Sequence, residues 1–321
     1  MKSSTFYIIT FMLCYATVSG LSPVQAQFSY GKLVGTLDTG PRDLALAHAT
    51  SSDISVLSET FANPASLSFR NKTSIYQQSY HSWTTNIYAL GIGVKNFKVK
   101  KSSFGVGLQY LSSGYNEINP LGEIDVLQPE LNRIQLNLSY SYLLAPVFSI
   151  GVSGYAYTAW NDFVAREHVN GSAGVIYTPS NNLSYSLQFN NLGYGLGYNH
   201  FGNGNTRLTD KNIEQSFEYG ASLYFPERGK RKKLGLYAST ETKINVQEIY
   251  YRFAGEFVLT DNLLLRLGYL NGAEDYLLGE SESGLTFGLG LNISGLEFNY
   301  GVAPGNNFYN RVHQFGFSLT L

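Results

Sequence analysis

The sequence predicts an all-β fold: a transmembrane antiparallel β-barrel of about 14 strands, preceded by an N-terminal segment that does not fit the barrel. Three observations carry that expectation: scarce charge, a period-two alternation through most of the chain, and connections that alternate between tight and long. Of the 321 residues only 14% are charged, while 15% are aromatic, with 25 Tyr, 20 Phe and 33 Gly. An ordinary soluble domain carries roughly 25% charge. The aromatic content excludes disorder. With 22 basic against 23 acidic residues the net charge is −1, which leaves no basic excess for nucleic acid. A single cysteine excludes a disulfide scaffold. Mean hydropathy of −0.11 excludes a bundle of membrane helices.

The first element is a secretory signal peptide over residues 1–26. Lys2 supplies the positive start, and Phe6 to Val18 form an apolar run broken only by Thr10 and Thr17. Val24-Gln25-Ala26 then offers a small-residue cleavage site. The run is shorter than the roughly 20 residues a spanning helix needs. Cys14 lies within it after Leu13, where a lipoprotein signal would want a small residue.

Residues 27–72 lack strand periodicity and would either plug the lumen, as a hatch segment, or form a periplasmic tail. Short apolar clusters (Leu44-Ala45-Leu46, Val56-Leu57) lead to Phe61-Ala62-Asn63-Pro64-Ala65-Ser66-Leu67, in which Asn63-Pro64 is a turn signal.

Residues 73–321 read as the barrel. Ile134, Leu136, Leu138, Tyr140 and Tyr142 alternate with Gln135, Asn137, Ser139 and Ser141; Leu285 to Ile293 and Phe315 to Leu321 repeat the pattern. Alternation gives each strand one apolar and one small or polar face. A soluble sandwich would place Lys and Glu on its polar face. Ser, Gly, Asn, Gln and Thr suit a lumen whose outer wall meets lipid. Fourteen strands are expected at 73–82, 84–96, 102–112, 131–144, 147–158, 169–178, 182–190, 212–225, 232–242, 247–259, 262–270, 283–293, 295–301 and 311–321.

Connections supply an independent test. Ala145-Pro146, Ser180-Asn181 and Ser294 turn tightly, whereas 114–130, 160–168, 191–211 and 272–282 are longer. Short turns on one side and long loops on the other mark an outer-membrane barrel. An even strand number closes the sheet without an edge. The basic groups Lys95, Lys98, Lys100, Lys101 and Arg228 to Lys233 then fall in periplasmic turns.

Candidate chemistry is sparse. His48, His81, His168, His200 and His313 stand apart, with no metal-ligand spacing and no H-E-x-x-H. No cofactor, metal or catalytic residue is expected, and the chain reads as non-enzymatic. Gly193, Gly195 and Gly197 form G-x-G-x-G without a following helix pattern, and read as turn glycines in a long loop. Gly91, Gly93, Gly105, Gly107, Gly288 and Gly290 share the inward face type. They give either simple room in the lumen or clearance for a hatch or ligand. Phe315, Phe317, Leu319 and Leu321 form a C-terminal alternating signal for outer-membrane assembly.

Several short motifs occur in order along the chain: Arg42, Asn63-Pro64-Ala65, Gln78-Ser79-Tyr80-His81-Ser82-Trp83, Gly105 to Ser113, Phe189-Asn190-Asn191-Leu192-Gly193, and Arg311-Val312-His313-Gln314-Phe315-Gly316-Phe317. As an ordered set they resemble the PorV/PorQ family, relatives of the FadL-like outer-membrane transporters. The resemblance runs over most of residues 40–321. One departure is that the family's glycine-rich stretch is here Ala45-Leu46-Ala47-His48-Ala49, which implies a differently packed plug.

The resemblance implies a 14-stranded barrel with residues 27–72 as an N-terminal hatch inside it, and a hatch motif at Arg42, Asn63, Pro64 and Ala65. It also implies a non-enzymatic role in type IX protein secretion, as an accessory or cargo carrier for surface attachment. The partners would then be outer-membrane lipids, the C-terminal domains of secreted cargo and secretion components. The alternative is a FadL-like channel taking up long-chain fatty acids or other hydrophobic ligands.

Overall fold

The structure, a computed structural model, describes residues 40–54, 63–69, 74–82, 86–99, 101–114, 131–160, 164–190, 192, 194–199, 206–210, 215–226, 233–244, 248–260, 262–274, 281–294, 296–303 and 312–320. The expected signal peptide lies outside them. So do Trp83, Leu321, the turn at 227–232 and the long loop at 115–130.

A short helix α1 (Pro41–Ala45) and a 3-10 helix (Pro64–Phe69) come first. The strands follow: β1 (Ser74–Ser82), β2 (Asn86–Val99), β3 (Ser102–Gly114), β4 (Leu131–Ala145), β5 (Phe148–Trp160), β6 (Val164–Ser180), β7 (Leu183–Asn190), β8 (Tyr194–Asn199), β9 (Thr206–Asp210), β10 (Ser216–Phe225), β11 (Leu234–Lys243), β12 (Glu248–Val258), β13 (Leu263–Glu274), β14 (Ser281–Ile293), β15 (Leu296–Ala303) and β16 (Val312–Thr320). Neighbours pair antiparallel. β1 pairs with β16, and β5 pairs with both β4 and β6, so the sheet closes on itself. Closure pairs the edges of the ring, which lipid could not satisfy, while β9 pairs with β8 alone among the described strands.

Among the described residues sixteen strands make fourteen wall positions, because β8 continues the line of β7 and β9 continues into β10. β7 pairs with the second half of β6, and β8 pairs with its first half. β9 likewise lies on β8 as β10 lies on β7. Each line takes one extra residue at the join, the signature of a bulge. Leu192 and Gln215 sit at these joins outside any strand, and the Leu192 N–H donates to Gly171 O at 2.9 Å.

Two expectations are corrected here. The stretch 191–211 is not one long loop, and Gly195 and Gly197 are strand residues opposite His168 and Arg166. Tyr194, Leu196 and Tyr198 alternate with those glycines, a large–small period of two that the glycines mask. Lys95 and Lys98 lie within β2 rather than in the turn beyond it.

The expected alternation appears as burial. On β4 Ile134, Leu136, Leu138 and Tyr140 are exposed while Gln135, Asn137, Ser139 and Ser141 are buried. On β14 Leu285, Phe287, Leu289 and Leu291 are exposed while Thr286, Gly288 and Gly290 are buried. A wall that is apolar outside and small and polar inside is stable only where lipid surrounds it.

The inner face is covered from within the same chain. Residues 40–54 and 63–69 are nearly all buried. α1 packs against β13 to β16, and the 3-10 helix packs against β2 to β6. Leu46 and Ala49 cluster with Tyr224 and Tyr237, and Ile54 and Ala65 cluster with Ile176.

Candidate functional site

The inner segment meets the wall through hydroxyls, glycines and a chain of buried charges. Pro41 stands at the start of α1, where a missing N–H costs nothing. Ala47 and His48 end the helix in the left-handed region, at φ 52° and 58°. The stretch without glycine therefore adopts the backbone that glycine favours, at a cost of about 1–2 kcal/mol per residue. Asn63 caps the 3-10 helix, its Oδ1 accepting the Ala65 N–H at 3.0 Å.

Small wall residues answer the segment's backbone. Ser184 and Ser222 donate to Ser52 O at 2.8 and 3.2 Å. Thr286 donates to Ala45 O at 2.9 Å, and Ser149 donates to Ala65 O at 2.8 Å. This accounts for hydroxyls on the inner face: buried carbonyls need donors.

Glycines clear the close approaches. A side chain at Gly151 would fall 2.7 Å from Ala65 Cα, one at Gly174 would strike Asn63, and one at Gly301 would strike Pro41 O. Gly288 makes room for Ala45, and Gly290 makes room for the Arg266 guanidinium. Gly105 and Gly107 are buried on the inner face, with Gly107 opposite Gly93 in the register. Gly91 lies opposite Gln78 and Gln109. The six glycines singled out in the sequence therefore occupy two different surroundings. Those on β14 clear an alanine and an arginine, whereas on β2 and β3 Gly93 and Gly107 face each other and Gly91 and Gly105 stand opposite Gln109 and Lys95.

The charges form a chain. Arg42 is 1% exposed. Its Nε donates to Glu256 Oε2 at 2.8 Å, and its Nη2 donates to Asp53 Oδ2 at 2.8 Å and to the Tyr237 hydroxyl at 3.1 Å. Glu256 Oε2 also accepts Arg266 Nε at 2.7 Å. Arg266, fully buried, donates onward to Glu297 at 3.2 Å and to Asn299 at 2.5 Å. Tyr224 donates to Asp53. The order Asp53–Arg42–Glu256–Arg266–Glu297 alternates in sign, so each charge taken out of water has an opposite neighbour.

Asp43, on the inner segment, is held apart from that chain. His48 Nδ1 lies 3.1 Å from its Oδ2, and the Thr50 hydroxyl donates to its Oδ1. Burial pushes the carboxyl upward. His48, Thr50 and the charge of Arg252 outweigh that and hold it below the ordinary carboxylate range.

Of the residues marked by the sequence, Arg42, Asn63, Pro64 and Ala65 all lie in this contact zone. Phe315 and Phe317 are exposed on the outer face of β16 beside Tyr300 and Phe298. Leu319 continues β16, and Leu321 lies outside the described residues. Tyr300 is hydrogen-bonded to His313 Nδ1 at 2.8 Å. Among the described residues no group of three or more His, Cys, Asp or Glu is placed to hold a metal. Glu256, Arg266, Tyr224 and Tyr237 were not singled out, although charges on the inward phase of a membrane strand are themselves a signal.

No family model and no curated protein sequence matches the chain. Solved structures do. The toluene transporter TbuX of Ralstonia pickettii matches with a TM-score of 0.60 at 13% identity, covering 89% of this chain and 98% of that one. The toluene transporter TodX of Pseudomonas putida matches with a TM-score of 0.60 at 15% identity, covering 88% and 96%. A FadL homologue of Pseudomonas aeruginosa gives 0.52 at 12% identity, covering 88% and 98%. The chain thus has the fold of the FadL-like outer-membrane barrels, and its apolar outer belt places it in the bacterial outer membrane.

Proposed function

We propose that the protein is a non-enzymatic outer-membrane channel for small hydrophobic molecules, with residues 27–72 as its plug. The observation that carries this reading is the step in the wall where β7 passes into β8 and β9 into β10. On the outer face beside it, Phe189 stacks edge-on against Phe217 at 4.5 Å, and Phe217 against Tyr219 at 4.4 Å. Apolar rings at a bulged join suit passage of an apolar molecule between lumen and bilayer. The likeness to hydrocarbon transporters supports the same reading. In this scheme Arg42, Asn63, Pro64 and Ala65 anchor the plug, and the inward glycines give it clearance. Phe315, Phe317, Leu319 and Leu321 serve outer-membrane assembly.

A second reading has one observation in its favour. The inner faces of β3 to β5 are polar, with Ser103, Gln135, Asn137, Ser139, Ser141 and Ser149 all buried. A polar lumen suits a carrier in type IX secretion, as the PorV/PorQ resemblance implies, better than a greasy conduit. One experiment separates the two. In a deletion strain, toluene and long-chain fatty-acid uptake and the surface display of secreted proteins are measured together. Lost uptake with normal display supports the channel; lost display with normal uptake overturns it in favour of the carrier.

A further inference from the structure

One strand departs from the apolar outer face. Gln77, Ser79 and His81 of β1 stand opposite Phe317, Phe315 and His313 of β16. On the other side they stand opposite Ile92, Leu90 and Tyr88 of β2. Directly paired residues share a face of the sheet. Phe315 and Phe317 are 51% and 40% exposed on the outer face, so the three β1 positions lie on that face too. Gln77 and Ser79 have an apolar residue on each side in the register, which sets them within the lipid-facing belt. His81 follows near the end of the strand, between two further aromatic rings. Acyl chains offer a glutamine or a serine neither donor nor acceptor. Polar residues at such positions are costly in lipid and are settled against protein.

A hollow adjoins these positions. On the outer face of β13 to β16 a cavity of about 440 Å³ lies between Leu289, Leu291, Phe298, Tyr300, Phe315 and Phe317. It shares two register rows with the polar positions. Leu291, Phe298, Phe317 and Gln77 form one row, and Leu289, Tyr300, Phe315 and Ser79 form the next. An apolar hollow and a polar stripe therefore stand side by side at the same depth.

The chemistry of the stripe selects the occupant. A glutamine amide, a serine hydroxyl and a neutral histidine ring each carry both a donor and an acceptor. Each can pair with its own copy. A two-fold axis along the membrane normal brings every residue to its copy at the same depth, as an isologous contact requires. The same axis sets β16 of one copy against β2 and β3 of the other, where Val106 and Leu108 are exposed. Apolar side chains then face the hollow while the polar positions face each other.

We propose that β1 and the hollow beside it form an interface between two copies of this chain in the membrane, with the two-fold axis beside Ser79. The interface serves a channel and a carrier alike.

The test begins with Ser79→Cys in the full chain, oxidised in outer membranes and run on a non-reducing gel. A dimer band is expected from Ser79→Cys. None is expected from Leu138→Cys on β4, nor from the wild-type chain, whose single cysteine is Cys14. Förster transfer between separately labelled copies in vesicles, followed as lipid is added, gives the dissociation constant. Gln77→Leu is expected to raise it about tenfold, the worth of a strong interfacial hydrogen bond in lipid. Heat-dependent gel mobility reports whether each variant is folded. Should Ser79→Cys not fold, transfer between wild-type copies decides.

A chain that stays monomeric in vesicles overturns the inference. So do dimer bands of equal strength from Ser79→Cys and Leu138→Cys, which mark random collision. A folded Gln77→Leu that dimerises as tightly as the wild type overturns it, and so does Ser79→Cys joined only to a different protein. None of these outcomes bears on uptake or surface display, so the proposed function stands or falls separately.

Discussion

Arg42 of the inner segment and Glu256 of β12, 214 residues apart in sequence, meet at 2.8 Å with both side chains almost wholly buried. Glu256 is shared with Arg266, so this one contact ties the inner segment into the wall. Removing one partner of a buried pair leaves the other uncompensated, at about 3–5 kcal/mol. Arg42→Met is expected to leave the barrel folded, as read by heat-dependent gel mobility. It should render residues 40–54 sensitive to protease. Arg42→Lys should rescue little, because a single ammonium cannot hold Glu256, Asp53 and Tyr237 in the planar fork of a guanidinium.

The glycines give a graded series. At Gly151 and Gly301 an added methyl would collide with backbone of the inner segment, which cannot swing aside. At Gly154 the nearest atom lies 4.0 Å away. Gly151→Ala and Gly301→Ala are expected to lower stability by about 1–3 kcal/mol, the usual cost of overpacking. Gly154→Ala should be close to neutral. Equilibrium unfolding in urea into lipid vesicles measures all three.

How far these contacts were legible in the sequence differs by type. Period-two alternation located all fourteen wall positions, because a face that meets lipid must be apolar whatever its neighbours are. The join of β7 and β8 was hidden. There the small residues of the alternation are glycines, which also signal turns. Asn63-Pro64-Ala65 was visible because capping is local. The partners of Arg42 were not: strand phase says that Glu256 and Arg266 point inward, but only closure of the ring decides which inward residues reach the segment.

Ala47 carries a left-handed φ of 52° with its methyl group against the position of Gly268. Ala47→Gly removes the backbone penalty and loses only a methyl contact. It is expected to raise protease resistance of the inner segment, by about 1 kcal/mol. His48→Gly, at φ 58°, should do the opposite despite the same backbone relief. It takes away the ring that holds Asp43.

Asp43 gives the segment a pH dependence whose sign follows from the direction of its shift. Its carboxyl titrates below its ordinary value of 3.8 when the segment is docked. Docking therefore favours the ionised form. The stabilisation is fully present above the ordinary value and is lost as pH falls through the native one. Protease protection of the segment should exceed that of Asp43→Asn at neutral pH. The difference should narrow as the medium is acidified below about pH 4.

The outer wall supplies a test that separates a lipid-facing barrel from a soluble one. Leu138 on β4 is 54% exposed. In water, an exposed leucine replaced by arginine changes stability by less than about 0.5 kcal/mol. In a bilayer, the same change on the lipid face costs about 2–4 kcal/mol near the midplane. Leu138→Arg is expected to show the larger loss when the barrel is refolded into vesicles, and Leu138→Met to show almost none. Leu289 on β14, exposed on the far side of the ring, should respond in the same way. Equal stability of the arginine and methionine variants at both sites would mean that the apolar belt faces water.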